Sequence, residues 1–146
     1  MLNCEVAIIG AGVIGSALAA ALADQGLTDV IVVDPDLDGT HSSSELNAGG
    51  VRATFNQDIN VLCSKITIDY LAQHALETGY RPVGYLWIHR PDGMKKAVAS
   101  IPKWKKAGWP VEEWSVQRLK EYAPFIDQTD DLAGAVYGPR DGLVNP

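Results

Sequence analysis

Residues 4–34 read CEVAIIGAGVIGSALAAALADQGLTDVIVVD, and the fold turns on them. Cys4 to Ile9 is a nearly continuous apolar run that stops at Gly10. That is the pattern of a strand buried on both faces of a parallel sheet. From Val13 to Gln25 the chain is rich in Ala and Leu, both strong helix formers. Ile14, Ala17, Leu18 and Ala21 recur at helical spacing, and Gly26 follows as a terminator. Asp29 to Val33 repeats the buried-strand pattern and ends at Asp34. Strand, helix and strand in so short a stretch make a βαβ unit, whose crossover is right-handed almost without exception.

The junction of the first strand and the helix reads Gly10-Ala11-Gly12-Val13-Ile14-Gly15. Gly10 permits the turn out of the strand, Gly12 leaves the backbone bare for a pyrophosphate, and Gly15 lets the helix pack closely on the sheet. The N–H groups of the first turn, around Val13 and Ile14, would face the phosphates, with the helix dipole adding favourable potential. Asp34 lies 24 residues after Gly10, with Pro35 beside it. From there a carboxylate can accept hydrogen bonds from an adenosine ribose. The neighbours of Asp34 include Asp36 and Asp38 but no Arg or Lys, which disfavours a 2′-phosphate and hence NADP. FAD and NAD both remain open on these residues.

Working outward, PDLDGTHSSSELNAGG is small, polar and Gly-rich with no sustained period. A loop of that length is more often functional than idle. A long helix is expected from Asp58 to Thr78, closed by Gly79. It carries two apolar stripes, Ile59, Leu62, Cys63, Ile66 and Tyr70 on one and Val61, Ile68, Ala72 and Ala75 on the other. Such a helix is packed between two bodies. Tyr85 to His89 is a strand, with Pro91-Asp92-Gly93 as its turn. Met94 to Ala107 is helical, with Pro102 expected to kink or split it. Ser115 caps a short helix to Tyr122, and Gly134 to Tyr137 forms another strand.

A net charge of −6 excludes a nucleic-acid or anionic-membrane partner as the expectation. Five of the seven lysines, Lys95, Lys96, Lys103, Lys105 and Lys106, fall in one stretch and read as a solvated helix face. Cys4 and Cys63 lack a CxxC and any His or Cys at metal-ligand spacing, so no metal is expected. They read as small apolar residues in a reducing compartment, and no apolar run is long enough to span a membrane. A cytoplasmic location is the corresponding expectation. Ser42, Ser43 and Ser44 beside His41 are too close in sequence to form a triad. Trp87, Trp104, Trp109 and Trp114 are expected to pack rather than to stack on a ligand.

The first thirty-odd residues, followed by SSSELNAGGVR (residues 42–52), resemble the FAD-dependent superfamily of D-amino-acid oxidase, glycine oxidase and sarcosine oxidase. Ser43, Ser44, Asn47, Gly49, Gly50 and Arg52 match its loop, with Ala48 and Val51 in the same segment. The resemblance implies that this loop lies on the flavin side of FAD. WSVQRLKEYAPFID (residues 114–127) and DGLVNP (Asp141 to Pro146) also look like the start of that family's substrate domain. Implied is an α/β fold, with a Rossmann-like FAD-binding portion over residues 1–80 and the beginning of an α+β substrate domain over 81–146. In the dimethylglycine dehydrogenase branch a loop histidine attaches to the flavin. Asn47 stands in its place here, so FAD is expected without a covalent bond. The family's remaining cofactor segments lie C-terminal to this chain, which therefore reads as an N-terminal part, to be completed by further sequence or a partner subunit.

The activity implied is oxidation of a C–N bond in a small amine or amino acid, with sarcosine, glycine, proline, dimethylglycine and D-amino acids all open. The flavin carries the chemistry and protein groups position it. Arg52 is either a cation that favours the reduced flavin or an arginine that pairs with a carboxylate or phosphate to order the loop. Alternatives to the whole reading are an NAD-dependent dehydrogenase domain and a non-catalytic nucleotide-binding or partner subunit.

Overall fold

The computed structural model describes residues 3–145; Met1, Leu2 and Pro146, the last residue of the DGLVNP motif, lie outside the described residues. The chain forms two compact units that divide between Ala48 and Gly49, earlier than the expected 80/81 boundary. The reason lies in the helix after residue 57. Its Val61 and Ile68 share a core with Trp104, Trp109 and Val136, so it packs with the elements C-terminal to it.

The first unit is a βαβ element. Strands β1 (Val6–Ile9) and β2 (Val30–Val33) pair in parallel, from Val6 opposite Val30 to Ile9 opposite Val33, with helix α1 (Val13–Asp24) between them. The helix ends as its sequence predicts. Gly26 takes φ 85°, its N–H reaches the Ala23 carbonyl, and the Leu27 N–H reaches that of Leu22. Those paired bonds are a Schellman closure.

Two expectations for this unit need correction. Ile8 is buried, but Ile9 is 93% and Val33 55% exposed, so the strands are not covered on both faces. One helix on two strands can cover only one side of the sheet. The stripe Ile14, Ala17, Leu18 and Ala21 is exposed, and Gly15, Ala19 and Leu22 are the partly covered face of α1. Gly15 decides that rotation by bringing its own face against the β1 turn, where a side chain would collide with the Gly10 carbonyl oxygen.

The second unit holds β3 (Gly50–Val51), α2 (Asp58–Gln73), α3 (Ala75–Thr78), β4 (Tyr85–His89), α4 (Pro91–Lys106), β5 (Glu112–Trp114), α5 (Val116–Tyr122), β6 (Gly134–Gly138) and β7 (Gly142–Leu143). Strands β4, β6 and β5 form an antiparallel sheet in that order, and β3 pairs antiparallel with β7. The core collects Ala53, Val61, Ile68, Tyr80, Ala97, Trp104, Trp109, Val111 and Val136. The chain is thus mixed α/β, a parallel βαβ unit followed by an antiparallel α+β unit.

The long helix is divided at His74, whose backbone (φ −113°, ψ 37°) leaves the helical range before α3 continues to Gly79 in the left-handed region. Of its two stripes, Val61 and Ile68 are buried and Ala75 packs on the core, whereas Ala72 is exposed. The other stripe is open, with Ile59, Leu62, Ile66 and Tyr70 each more than half exposed. Pro91-Asp92-Gly93 is the first turn of α4 rather than a loop, because a proline at the start of a helix gives up only an N–H that has no partner there. Pro102 neither splits nor ends α4, which runs on to Lys106. Its missing bond falls near the end of the helix, and beyond it the buried Trp104 anchors the last turn by donating its indole N–H to the Phe55 carbonyl at 2.8 Å. Ser115 caps α5 as expected, accepting from the Arg118 N–H at 3.2 Å. Among the described residues no helix is long and apolar enough to cross a membrane.

Candidate functional site

In the first unit the glycine-rich turn, Asp34 and the serine loop line one cavity of about 290 Å³. Its walls are Ala11, Gly12, Val13 and Ser16 from the turn and helix, Asp34, Asp36 and Leu37 beyond β2, and Ser42 and Ser44 from the loop, among others. Gly10 leaves β1 with φ 105°, a conformation that favours glycine. Gly12 is the N-cap of α1, in extended backbone, with no side chain of its own to cap the helix. A Cβ there would meet only the Ser44 hydroxyl, at 3.3 Å. That hydroxyl accepts the Val13 N–H at 3.1 Å, so one donor of the helix start is held by a single small polar group.

Asp34 accepts from the Ala11 N–H at 2.7 Å with one oxygen and from the Asp36 N–H at 2.8 Å with the other. These two bonds, Ala11 foremost, hold its carboxyl below the ordinary carboxylate range. They leave each oxygen a lone pair for an outside donor. The carboxylate thus clamps the turn to the end of β2 and still faces the cavity. The residues present fit the adenosine and pyrophosphate part of a dinucleotide: a Cβ-free approach, a helix start, and an acceptor for sugar hydroxyls.

Not every expected residue joins this cavity. Ile14 is 82% exposed, and Pro35, Ser43, Asn47 and Ala48 are not among the residues that line it. The Asn47 amide donates to the carbonyls of Ser44 at 2.6 Å and Ser43 at 3.2 Å, which gives it a loop-ordering contact. Asp36 and Ser42 were not anticipated. Nothing but their place in the polar loop could have marked them.

Gly49, Gly50, Val51 and Arg52 belong to the second unit. Gly50 and Val51 pair with Leu143 and Gly142, so the GGVR part of the loop and residues 142–143, both singled out in the sequence, are neighbours in space. Arg52 lies between two rings, its guanidinium carbon 4.6 Å from the Trp87 centroid and 5.0 Å from that of Phe55. Arg52 and Phe55 line two cavities, one of about 420 Å³ with Ser64, Thr67 and Tyr85, and one of about 400 Å³ with Trp87, His89 and Lys96. Among the described residues Arg52 forms no salt bridge. A cation stacked on aromatic faces keeps its charge and its in-plane donors available.

Close to Arg52 sits a carboxylate to which the sequence alone assigns no role. Asp141 is fully buried and accepts from the Ala53 N–H at 2.9 Å, the Trp109 indole at 3.1 Å and the Thr54 hydroxyl at 3.3 Å. Burial pushes its carboxyl up, while these donors and the charge of Arg52 pull it back. Of the tryptophans, Trp104, Trp109 and Trp114 are buried as expected, and Trp87 is the half-buried one that faces a cavity.

A family model described as FAD dependent oxidoreductase, DAO, matches residues 5–146. FAD-dependent oxidoreductase domain-containing protein 1 of Bos taurus is 28% identical over 157 residues, covering 97% of this chain and 32% of that protein. Mitochondrial dimethylglycine dehydrogenase of Homo sapiens is 28% identical over 156 residues, covering 99% of this chain and 17% of its own. The crystal structure of L-proline dehydrogenase from P. horikoshii superposes with a TM-score of 0.83 at 26% identity, covering 99% of this chain and 38% of that one. The chain spans well under half the length of each. The match settles the choice that Gly10 to Asp34 left between FAD and NAD: this chain belongs to the DAO family of FAD-dependent oxidoreductases.

Proposed function

We propose that the protein oxidises the C–N bond of a small amine or amino acid, using FAD held without a covalent bond. The observation that carries the reading is the cavity in which the Gly10–Gly15 turn, the carboxylate of Asp34 and the hydroxyl of Ser44 converge. In it, Gly12 and the N–H of Val13 would hold the pyrophosphate, with Ser44 as a further donor. Asp34, fixed by Ala11 and Asp36, would accept from the ribose. Bound FAD supplies the two-electron acceptor for a substrate α-C–H. Ser43, Asn47, Ala48, Gly49, Gly50 and Val51 would carry the chain along the flavin side. Arg52 would offset the negative charge that develops on reduction, a task for which a guanidinium that forms no salt bridge among the described residues is suited. The dimethylglycine and L-proline dehydrogenases and the glycine oxidase among the similar proteins support a small amine or amino acid as substrate.

Protein that carries this chain is expected to be yellow and to release FAD on denaturation. Its colour should bleach anaerobically with at least one member of a panel of sarcosine, glycine, proline, dimethylglycine and D-amino acids. Colourless protein that takes up no FAD, or a flavin that every amine leaves oxidised, would end the proposal. Arg52→Ala is expected to slow flavin reduction on the order of a hundredfold while changing FAD affinity little. An unchanged rate would remove Arg52 from the chemistry.

A further inference from the structure

The buried Asp141 has no part in the chemistry proposed above, yet it touches the segment that carries Arg52 twice. Its Oδ1 accepts the Ala53 N–H at 2.9 Å, the peptide immediately after Arg52, and its Oδ2 accepts the Thr54 hydroxyl at 3.3 Å. The same Thr54 oxygen accepts the indole N–H of Trp87 at 3.1 Å, and the Arg52 guanidinium stacks over the Trp87 ring at 4.6 Å. We infer that Asp141 is a positioning residue: through Thr54 it fixes the orientation of Trp87, and through Trp87 that of the Arg52 guanidinium.

The polarity of the relay is set by what each group can do. A hydroxyl has one proton to give and two lone pairs to receive with. Asp141, an acceptor toward all three of its neighbours, accepts the hydrogen bond that the Thr54 hydroxyl donates, and this leaves the Thr54 lone pairs turned toward the Trp87 N–H. An indole can only donate, so Trp87 has one orientation that satisfies it. With that orientation set, the flat face of the ring offers the guanidinium a shelf, and Phe55, 5.0 Å from the guanidinium carbon, offers a second. Trp109 secures the far end, since its indole also donates to Oδ1 of Asp141 at 3.1 Å and is itself fully buried. Surface salt bridges could hold an arginine more simply, but they would consume its charge. The relay uses only neutral donors and ring faces on the Arg52 side. Its purpose on this reading is to place a cation without neutralising it. The inference rests on the role proposed for Arg52 only for its consequence in catalysis, and its geometry can be tested separately.

The test is the Arg52 Nε–H resonance in the ¹⁵N-labelled chain, assigned by its loss in Arg52→Lys. Three variants cut the relay at different points. Thr54→Val keeps the shape and removes the hydroxyl; Trp87→Phe keeps a ring and removes the N–H; Asp141→Asn keeps the size and reverses one hydrogen bond. Each is expected to move the Arg52 resonance out of its ring-current position, with the Trp104 and Trp114 indole resonances unmoved as a check that the fold persists. Thr54→Ser, which restores a hydroxyl, is expected to return it. An Arg52 resonance that stays in place in Thr54→Val while the Trp87 indole signal shifts would overturn the inference, since Trp87 would then not transmit to Arg52. Should Asp141→Asn unfold, Thr54→Val still decides. If the resonance moves as expected and Arg52→Ala nevertheless reduces its flavin at the normal rate, the relay stands and the proposed role of Arg52 falls.

Discussion

Gly12 and Gly15 look alike in the sequence and are required for different reasons. At Gly15 a side chain would collide with the backbone oxygen of Gly10, which cannot swing away. Gly15→Ala is therefore expected to destabilise the first unit by about 1–3 kcal/mol, as overpacking does, readable as a fall in its melting temperature. At Gly12 the nearest atom is the Ser44 hydroxyl at 3.3 Å, which can rotate. Gly12→Val should leave the melting temperature nearly unchanged and abolish FAD uptake, because the added methyls take the place of the pyrophosphate. A Gly12→Val protein that still binds FAD with wild-type affinity would show that the cofactor lies elsewhere. The glycines and Asp34 were legible in the sequence because backbone conformation and close approach leave a signature in residue type. Asp141 was not. The motif DGLVNP singled out its place in the chain but not its burial, and its meaning comes from Ala53, Thr54 and Trp109, which lie far away along the chain.

At the scale of elements, α2 is tied to the segment before β7 by charge. Asp69 accepts from Lys65 at 2.8 Å and from Arg140 at 2.7 Å, and these two bonds, Lys65 first, hold its carboxyl below the ordinary carboxylate range. A carboxylate with a lowered folded pKa adds stability that is fully present above its unfolded value and is lost as pH falls through the folded one. Asp69→Asn should therefore melt earlier than wild type near neutral pH, and the difference should close as the pH falls below the ordinary carboxylate range. A gap that persists in acid would mean that packing, not charge, is what the substitution removes. Ser115→Ala should cost about 1 kcal/mol, the usual value of an N-cap, because it strips the Arg118 N–H of its acceptor. Strand β4 was readable from its aromatic and β-branched residues, and the start of α5 from its cap. Strands β3, β5 and β7 were not, since two or three residues hold no period, and Glu112-Glu113 breaks the apolar pattern outright. Pro102 misled for a different reason: the bond from the Trp104 indole to the Phe55 carbonyl, which anchors the turn beyond it, reaches a segment far away along the chain.

For the molecule as a whole, the open stripe of α2 and the uncovered strand ends of the first unit are each an apolar surface with no cover among the described residues. Ile59, Leu62, Ile66 and Tyr70 are all more than half exposed, and so are Ile9 and Val33. Apolar surface on that scale lowers solubility and invites a covering layer. The 146 residues alone are therefore expected to bind FAD weakly, with tight stoichiometric binding on titration as the result that would contradict it.

The pairing of β3 with β7 has a mechanical consequence. The backbone enters the second unit at Gly49 and leaves it at Asn145, and the Val144 N–H is bonded to the Gly49 carbonyl at 2.8 Å. Both ends thus depart from the same end of one antiparallel ladder. A force applied between them would first load the Asn145 N–H bond to the Thr78 carbonyl, then Val144 to Gly49, and then the pairs Gly50 with Leu143 and Val51 with Gly142, while Arg81 exchanges two bonds with Leu143 on the other edge of β7. The unit should open from its own doorway, where β7 must release both β3 and Arg81, before the sheet of β4, β6 and β5 gives way.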